Sequence, residues 1–141
     1  MDRKGSAVWQ GTIKEGKGTV STQSGTLKDA QYSFSSRFES GTGTNPEELL
    51  GAAHAGCFSM ALSAQLMGEK LTAERIATTA TVTIEQVDGG FGITHVHLDV
   101  QAKIAGTDQA TFERLAGAAK AGCPVSKLFN TRITMDAKLV G

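Results

Sequence analysis

The nineteen positions from Leu49 to Met67 carry only four polar side chains: His54, Ser59, Ser63 and Gln65. A helix built from them turns small or apolar residues in nearly every direction, so it needs cover on all sides. Its start is well marked. Asn45 offers an N-cap oxygen, Pro46 suits the first helical position, and Glu48 stands three residues on to close a capping box. Gly68 is the natural stop. Length alone would let the segment cross a bilayer. Ala and Gly supply seven of its nineteen residues, however, and the flanking sequence reads as water-facing sheet, so the expected place is the centre of a protein fold. A helix of about 30 Å, at ~1.5 Å per residue, is more than one small sheet covers. A second copy of the chain is the economical cover, with Gly51, Ala52, Ala55 and Gly56 permitting close approach of a partner helix.

The segments around this helix define the rest of the fold. SAVWQGT (6–12), GTVSTQS (18–24) and YSFSSRF (32–38) alternate or are β-branched and are separated by turn residues, which predicts a three-stranded meander. ATTATVTIEQV and FGITHVHLDVQAKI alternate on either side of Asp88-Gly89-Gly90, a strong hairpin signal, and are expected to pair antiparallel. Residues 107–122 have helical spacing with Phe112, Leu115, Ala116 and Ala119 on one face and Gly122 as terminator. Cys123-Pro124 then opens a short helix to about residue 129. TRITMDAKL closes the chain as a strand whose inward set is Ile133, Met135, Ala137 and Leu139. Strands, helix, strands, helix and strand make an α+β domain. The 17 glycines are scattered through turns without forming a linker tract, so residues 1–141 are expected to be one domain.

Charge removes several function classes. Lys plus Arg and Asp plus Glu both total 14, which leaves no electrostatic footprint for nucleic acid or for an anionic membrane. The opening MDRKGSAVWQGTIKEGKG has no apolar run of signal-peptide length, so the expected compartment is the cytoplasm. Thiols stay reduced there, and a static structural disulfide is not expected.

The chain has two cysteines, Cys57 and Cys123, 66 residues apart, so only the fold can bring them together. Cys123 immediately precedes Pro124 at the start of the short helix, where partial positive charge favours a thiolate. Cys57 lies mid-helix among Ala and Gly, where desolvation raises a thiol's pKa; to react it needs a cation. Arg37, at the end of the third expected strand, is the nearest candidate, and Glu47 is the carboxylate that could hold it through a bidentate pair. Glu47 precedes Cys57 by ten residues, about 15 Å along a helix. If Glu47 serves Cys57, the helices of two subunits must run antiparallel, each supplying Glu47 to the other's thiol. Plainer readings stand beside this one. The two cysteines could be core thiols. His54, Cys57 and Cys123 would make three zinc ligands, with no fourth in sight. His95 and His97 share a strand face that reads as solvated sheet, and Met60, Leu66 and Met67 read as core filling.

TNPEELLGAAHAGCFSMAL, the later AKAGCPVSK, and the arginine of RFE twenty residues before the first cysteine resemble the osmotically inducible protein C and organic hydroperoxide resistance family, nearer its first branch. The resemblance runs through GTVST, RFE and DGGFGIT and so covers nearly the whole chain. It implies antiparallel sheets around a long central helix in an intertwined homodimer, with active sites at the subunit interface. It further implies a cofactor-free thiol peroxidase in which Cys57 is peroxidatic, Cys123 resolving, and Arg37 with Glu47 the activating pair. The substrate would be an organic hydroperoxide, favoured over hydrogen peroxide by apolar walls at Phe58, Met60, Leu128 and Phe129. The reductant would be a dithiol, in this family typically a lipoylated protein. A non-enzymatic thiol redox sensor or binding protein on the same fold is the competing class. His54, where the sister branch has tyrosine, is left without a role.

Overall fold

A computed structural model describes all 141 residues, which fall into two compact units, Met1–Leu49 and Leu50–Gly141. The first contains β1 (Gly5–Gln10), β2 (Lys17–Thr22) and β3 (Ala30–Tyr32) in an antiparallel sheet of that order, followed by α1 (Phe34–Phe38). Trp9 and Tyr32 pack across it with ring centroids 5.4 Å apart.

The third expected strand is mostly helix. Tyr32, Phe34, Ser36 and Phe38 alternate with polar residues and imitate a strand, but Ser33 and Ser36 close a reciprocal capping box. The Ser36 N–H donates to the Ser33 hydroxyl oxygen at 3.1 Å, and the Ser33 N–H donates to that of Ser36 at 2.8 Å. Two satisfied amides at the helix start outweigh a two-residue periodicity. Arg37 therefore sits in the last turn of α1 and not at a strand end.

α2 (Pro46–Gly68) begins where the sequence places it, with the Glu48 N–H donating to the Asn45 side-chain oxygen at 2.8 Å. The expected return arm of the box is replaced: the Glu48 carboxylate accepts from the Thr44 hydroxyl at 2.6 Å, because Thr44 is pinned beside it by a bridge to Tyr32. Past Gly68, Lys70 takes the left-handed conformation (φ 59°) that ends the turn.

The second unit packs α2 against a sheet of β4 (Ala73–Val87), β5 (Gly90–Ile104) and β6 (Arg132–Val140). β4 and β5 form the expected hairpin, with Gly89 at φ 89° in the turn. β6 lies parallel to β5, a departure from all-antiparallel sheets. Parallel pairing requires a crossover, and α3 (Gln109–Gly122) with α4 (Pro124–Leu128) supplies it. Leu98, Val100, Ala102 and Ile104 of β5 meet Phe58, Leu62 and Leu66 of α2 and the Phe112, Leu115, Ala116 and Ala119 face of α3. Each fully buried Leu or Phe contributes about 1.5–3 kcal/mol. Ile133, Met135, Ala137 and Leu139 of β6 complete this core, as their alternation requires.

α2 is long and apolar enough by composition to cross a membrane, yet here it buries only one stripe. Gly51, His54, Phe58, Leu62 and Leu66 are sealed, whereas Ala52, Ala53, Gly56, Met60, Ala64 and Met67 are exposed. Gly51 is the point of tightest approach: a Cβ there would lie 2.9 Å from the Ala80 carbonyl oxygen.

Candidate active site

Pro124 shapes the first half of the site. A residue before proline is driven out of helical geometry, and Cys123 (φ −58°, ψ 127°) breaks the chain between α3 and α4. Its N–H still caps α3 by donating to the Ala119 carbonyl at 2.9 Å. This turn points a fully buried sulfur at α2, where the Sγ atoms of Cys123 and Cys57 are in hydrogen-bond contact at 2.9 Å. Both are free thiols, and Cys57 is the partly exposed one. A disulfide needs about 2.05 Å, so closure requires a sulfur movement of roughly 0.9 Å.

The surroundings of the two sulfurs divide their acidity. Burial pushes the Cys57 thiol up, and its hydrogen bond with Cys123 pushes it further, with only the Val125 N–H opposing. Burial also raises Cys123, but the hydrogen bond with Cys57, the N–H and hydroxyl of Ser126, and the Val125 N–H together bring it below an ordinary thiol. No side-chain hydrogen bond from Cys123 caps α4.

Arg37 and Glu47 are brought together inside the first unit. Arg37 Nη2 donates to Glu47 Oε1 at 2.7 Å and Nε to Oε2 at 3.2 Å, a side-on bidentate pair with Glu47 buried at 6% exposure. Nη1 keeps its donors, and the guanidinium carbon stands 5.2 Å from the Phe38 ring centre. The same arginine borders a cleft of about 200 Å³ walled by Trp9, Ile13, Tyr32, Phe34 and Phe38.

One of the four expected apolar walls is corrected and the other three are located. Phe58 is fully buried in the core and lines no opening, because its position falls on the buried stripe of α2. Met60 and Leu128 are exposed, and Phe129 borders a shallow recess with Leu128, Ile93, Asn130 and Thr131. Sequence reasoning missed Ser126, which receives His54 Nε2 at 2.7 Å from 72 residues away. Phe129 closes edge-on over that imidazole. On the far face of β5, His95 and His97 both reach the Thr134 hydroxyl, and His97 Nε2 lies 3.1 Å from Asp136 and 3.5 Å from Asp99.

A buried thiol in contact with an accessible one, on an α+β frame, defines a two-cysteine redox protein. The OsmC-like protein family matches residues 39–138. The chain is 52% identical over 139 residues to Peroxiredoxin OsmC of Escherichia coli (strain K12), covering 99% of this chain and 97% of that protein. It is also 35% identical over 100 residues to the Organic hydroperoxide resistance protein of Xanthomonas axonopodis pv. citri, covering 70% and 67% of the two. The crystal structure of the Organic Hydroperoxide Resistance Protein OhrB of Bacillus subtilis superposes with a TM-score of 0.72 at 25% identity, over 97% of this chain and 98% of that one. This chain belongs to the OsmC-like protein family.

Proposed function

We propose that the chain is a thiol-dependent peroxidase that reduces organic hydroperoxides to alcohols, with Cys57 peroxidatic and Cys123 resolving. The observation that carries the assignment of roles is the 2.9 Å contact between one accessible and one sealed sulfur. A hydroperoxide can approach only the accessible thiol. The Cys57 thiolate attacks the outer oxygen of R–OOH; the O–O bond breaks, RO⁻ takes a proton and leaves as alcohol, and Cys57 becomes a sulfenic acid. The Cys123 thiolate then attacks the Cys57 sulfur, the hydroxyl departs as water with one proton, and the disulfide forms. A dithiol reductant returns both sulfurs to thiols and is itself oxidised to a disulfide; a lipoylated protein has the right chemistry.

The remaining need is a cation, since Cys57's own neighbours raise its pKa. Arg37, oriented by Glu47, is the group we assign to it, supported by the bidentate pair and the donors left on Nη1. The aromatic cleft beside Arg37 favours an organic tail. We further propose a homodimer, supported by the exposed small-residue face of α2, and one OsmC-like domain over residues 1–141, supported by the full-length match to the Escherichia coli relative. A reducing cytoplasm suits a cycle that starts from two free thiols.

The test is steady-state consumption of an alkyl hydroperoxide with excess dithiol. Continuous turnover is expected. A single stoichiometric burst would replace the enzyme with a redox sensor.

A further inference from the structure

His54 is the largest polar side chain sealed in this protein, and the cycle above gives it nothing to do. Its Nε2 lies 2.7 Å from the Ser126 hydroxyl oxygen, while Nδ1 is buried with no partner. Ser126 is itself buried, stands three residues after Cys123 in the first turn of α4, and its N–H and hydroxyl lower the pKa of the Cys123 thiol. A hydroxyl has one proton, and the orphaned Nδ1 decides where it goes. If Ser126 gave its proton to Nε2, a neutral ring would carry its own N–H on Nδ1, buried and without an acceptor. If Nε2–H donates to Ser126, Nδ1 presents only a lone pair, which is cheaper to leave unpaired. The second arrangement frees the Ser126 proton to point at Cys123. Burial lowers the pKa of His54 and keeps the ring neutral, as this relay needs.

We infer that His54 is a positioning residue which, through Ser126, holds a hydroxyl proton on the Cys123 sulfur whenever that sulfur carries negative charge. The inference rests on the reading of Cys123 as the resolving thiol. Negative charge appears on Cys123 twice in the cycle. Before closure it is the thiolate that attacks sulfenic Cys57. In reduction, an incoming dithiol thiolate can reach only Cys57; the Cys57–Cys123 bond breaks, its electron pair goes to Cys123, and Cys123 leaves as thiolate. The second thiol of the reductant then displaces Cys57. A leaving thiol of lower pKa leaves faster. The relay therefore acts on the direction and rate of disulfide reduction, and hardly at all on peroxide attack at Cys57.

The experiment separates the two half-reactions in stopped flow. Sulfenic acid formation with an alkyl hydroperoxide is timed in a Cys123→Ser background, and reduction of the preformed disulfide by dithiothreitol is timed in the two-cysteine protein. His54→Leu should slow reduction about 3- to 10-fold, the partial expression at a leaving group of one hydrogen bond to a charged atom, and keep oxidation within about 2-fold. His54→Gln, which restores an N–H near the Nε2 position, should recover most of the loss. Ser126→Ala should match His54→Leu, and the double variant should be no slower than either single one, since both break one chain of contacts. Ser126→Ala also carries the test if His54→Leu fails to fold. Wild-type reduction rates in both variants, equal losses in the two half-reactions, or no rescue by glutamine overturns the inference. Failure of the unmodified protein to form the Cys57–Cys123 bond would overturn the underlying reading instead.

Discussion

The thiol pair and the arginine clasp are assembled on opposite principles. Cys57 and Cys123 are joined across 66 residues by a parallel crossover and a sealed core, and their surroundings favour charge on Cys123, the fully buried sulfur. Arg37 and Glu47 are joined across ten residues at the edge of the first unit, and the arginine side chain remains 36% exposed. On the proposed reading of the roles, the core of the second unit builds the resolving half of the cycle, while the cation assigned to the attacking half is held in the first.

The sharpest way to break that division is at the sulfurs. Without added dithiol, Cys57→Ser should consume no alkyl hydroperoxide, whereas Cys123→Ser should consume one equivalent; equal consumption by both would erase the distinction between them. Next in size is the clasp. A cation near a thiol lowers its pKa by about 1–3 units, so Arg37→Met should slow oxidation at neutral pH roughly 10- to 1000-fold. The pH profile of Cys57 alkylation should move upward in step. Glu47→Gln, which leaves the arginine charged but unsteered, should cost less. Alkylation profiles that coincide for all three proteins would remove Arg37 from the mechanism.

Much of this was legible in the sequence, and the exceptions have physical causes. The start of α2, the β4–β5 hairpin and the buried face of α3 follow from local signals: a cap, a glycine turn, and a helical period. The clasp could be guessed from residue chemistry, but its geometry turned on Ser33, whose capping box overrode the strand-like alternation of residues 32–38. The parallel setting of β6 carries no local signal, because its inward residues alternate identically in either direction. His54 and Ser126 are 72 residues apart, and nothing in either neighbourhood announces the other.

Two smaller effects sharpen the contrast between the sealed and open faces of α2. Gly51→Ala gains helix propensity of about 1 kcal/mol but drives a methyl into the Ala80 carbonyl, and should destabilise by a net ~1–2 kcal/mol in urea titration. Gly56→Ala, on the open face where a Cβ meets nothing, should not destabilise the isolated chain. The smallest effect is in acid. Burial lowers the folded pKa of His54 below the ordinary value of about 6.5, so the unfolded chain takes up the proton first as pH falls. Its contribution is complete above that value and is lost as pH falls toward the folded pKa. His54→Gln should therefore flatten the decline in stability between neutral and mildly acidic pH, measured by thermal unfolding.

The most direct test is peptide mass spectrometry after one equivalent of alkyl hydroperoxide. The two-cysteine protein should yield a peptide cross-linked between Cys57 and Cys123, and Cys123→Ser should yield a sulfenic acid trapped by dimedone on Cys57. A trapped sulfenic acid on Cys123 in Cys57→Ser at a comparable rate, or an oxidised protein with no such cross-link, would contradict the account.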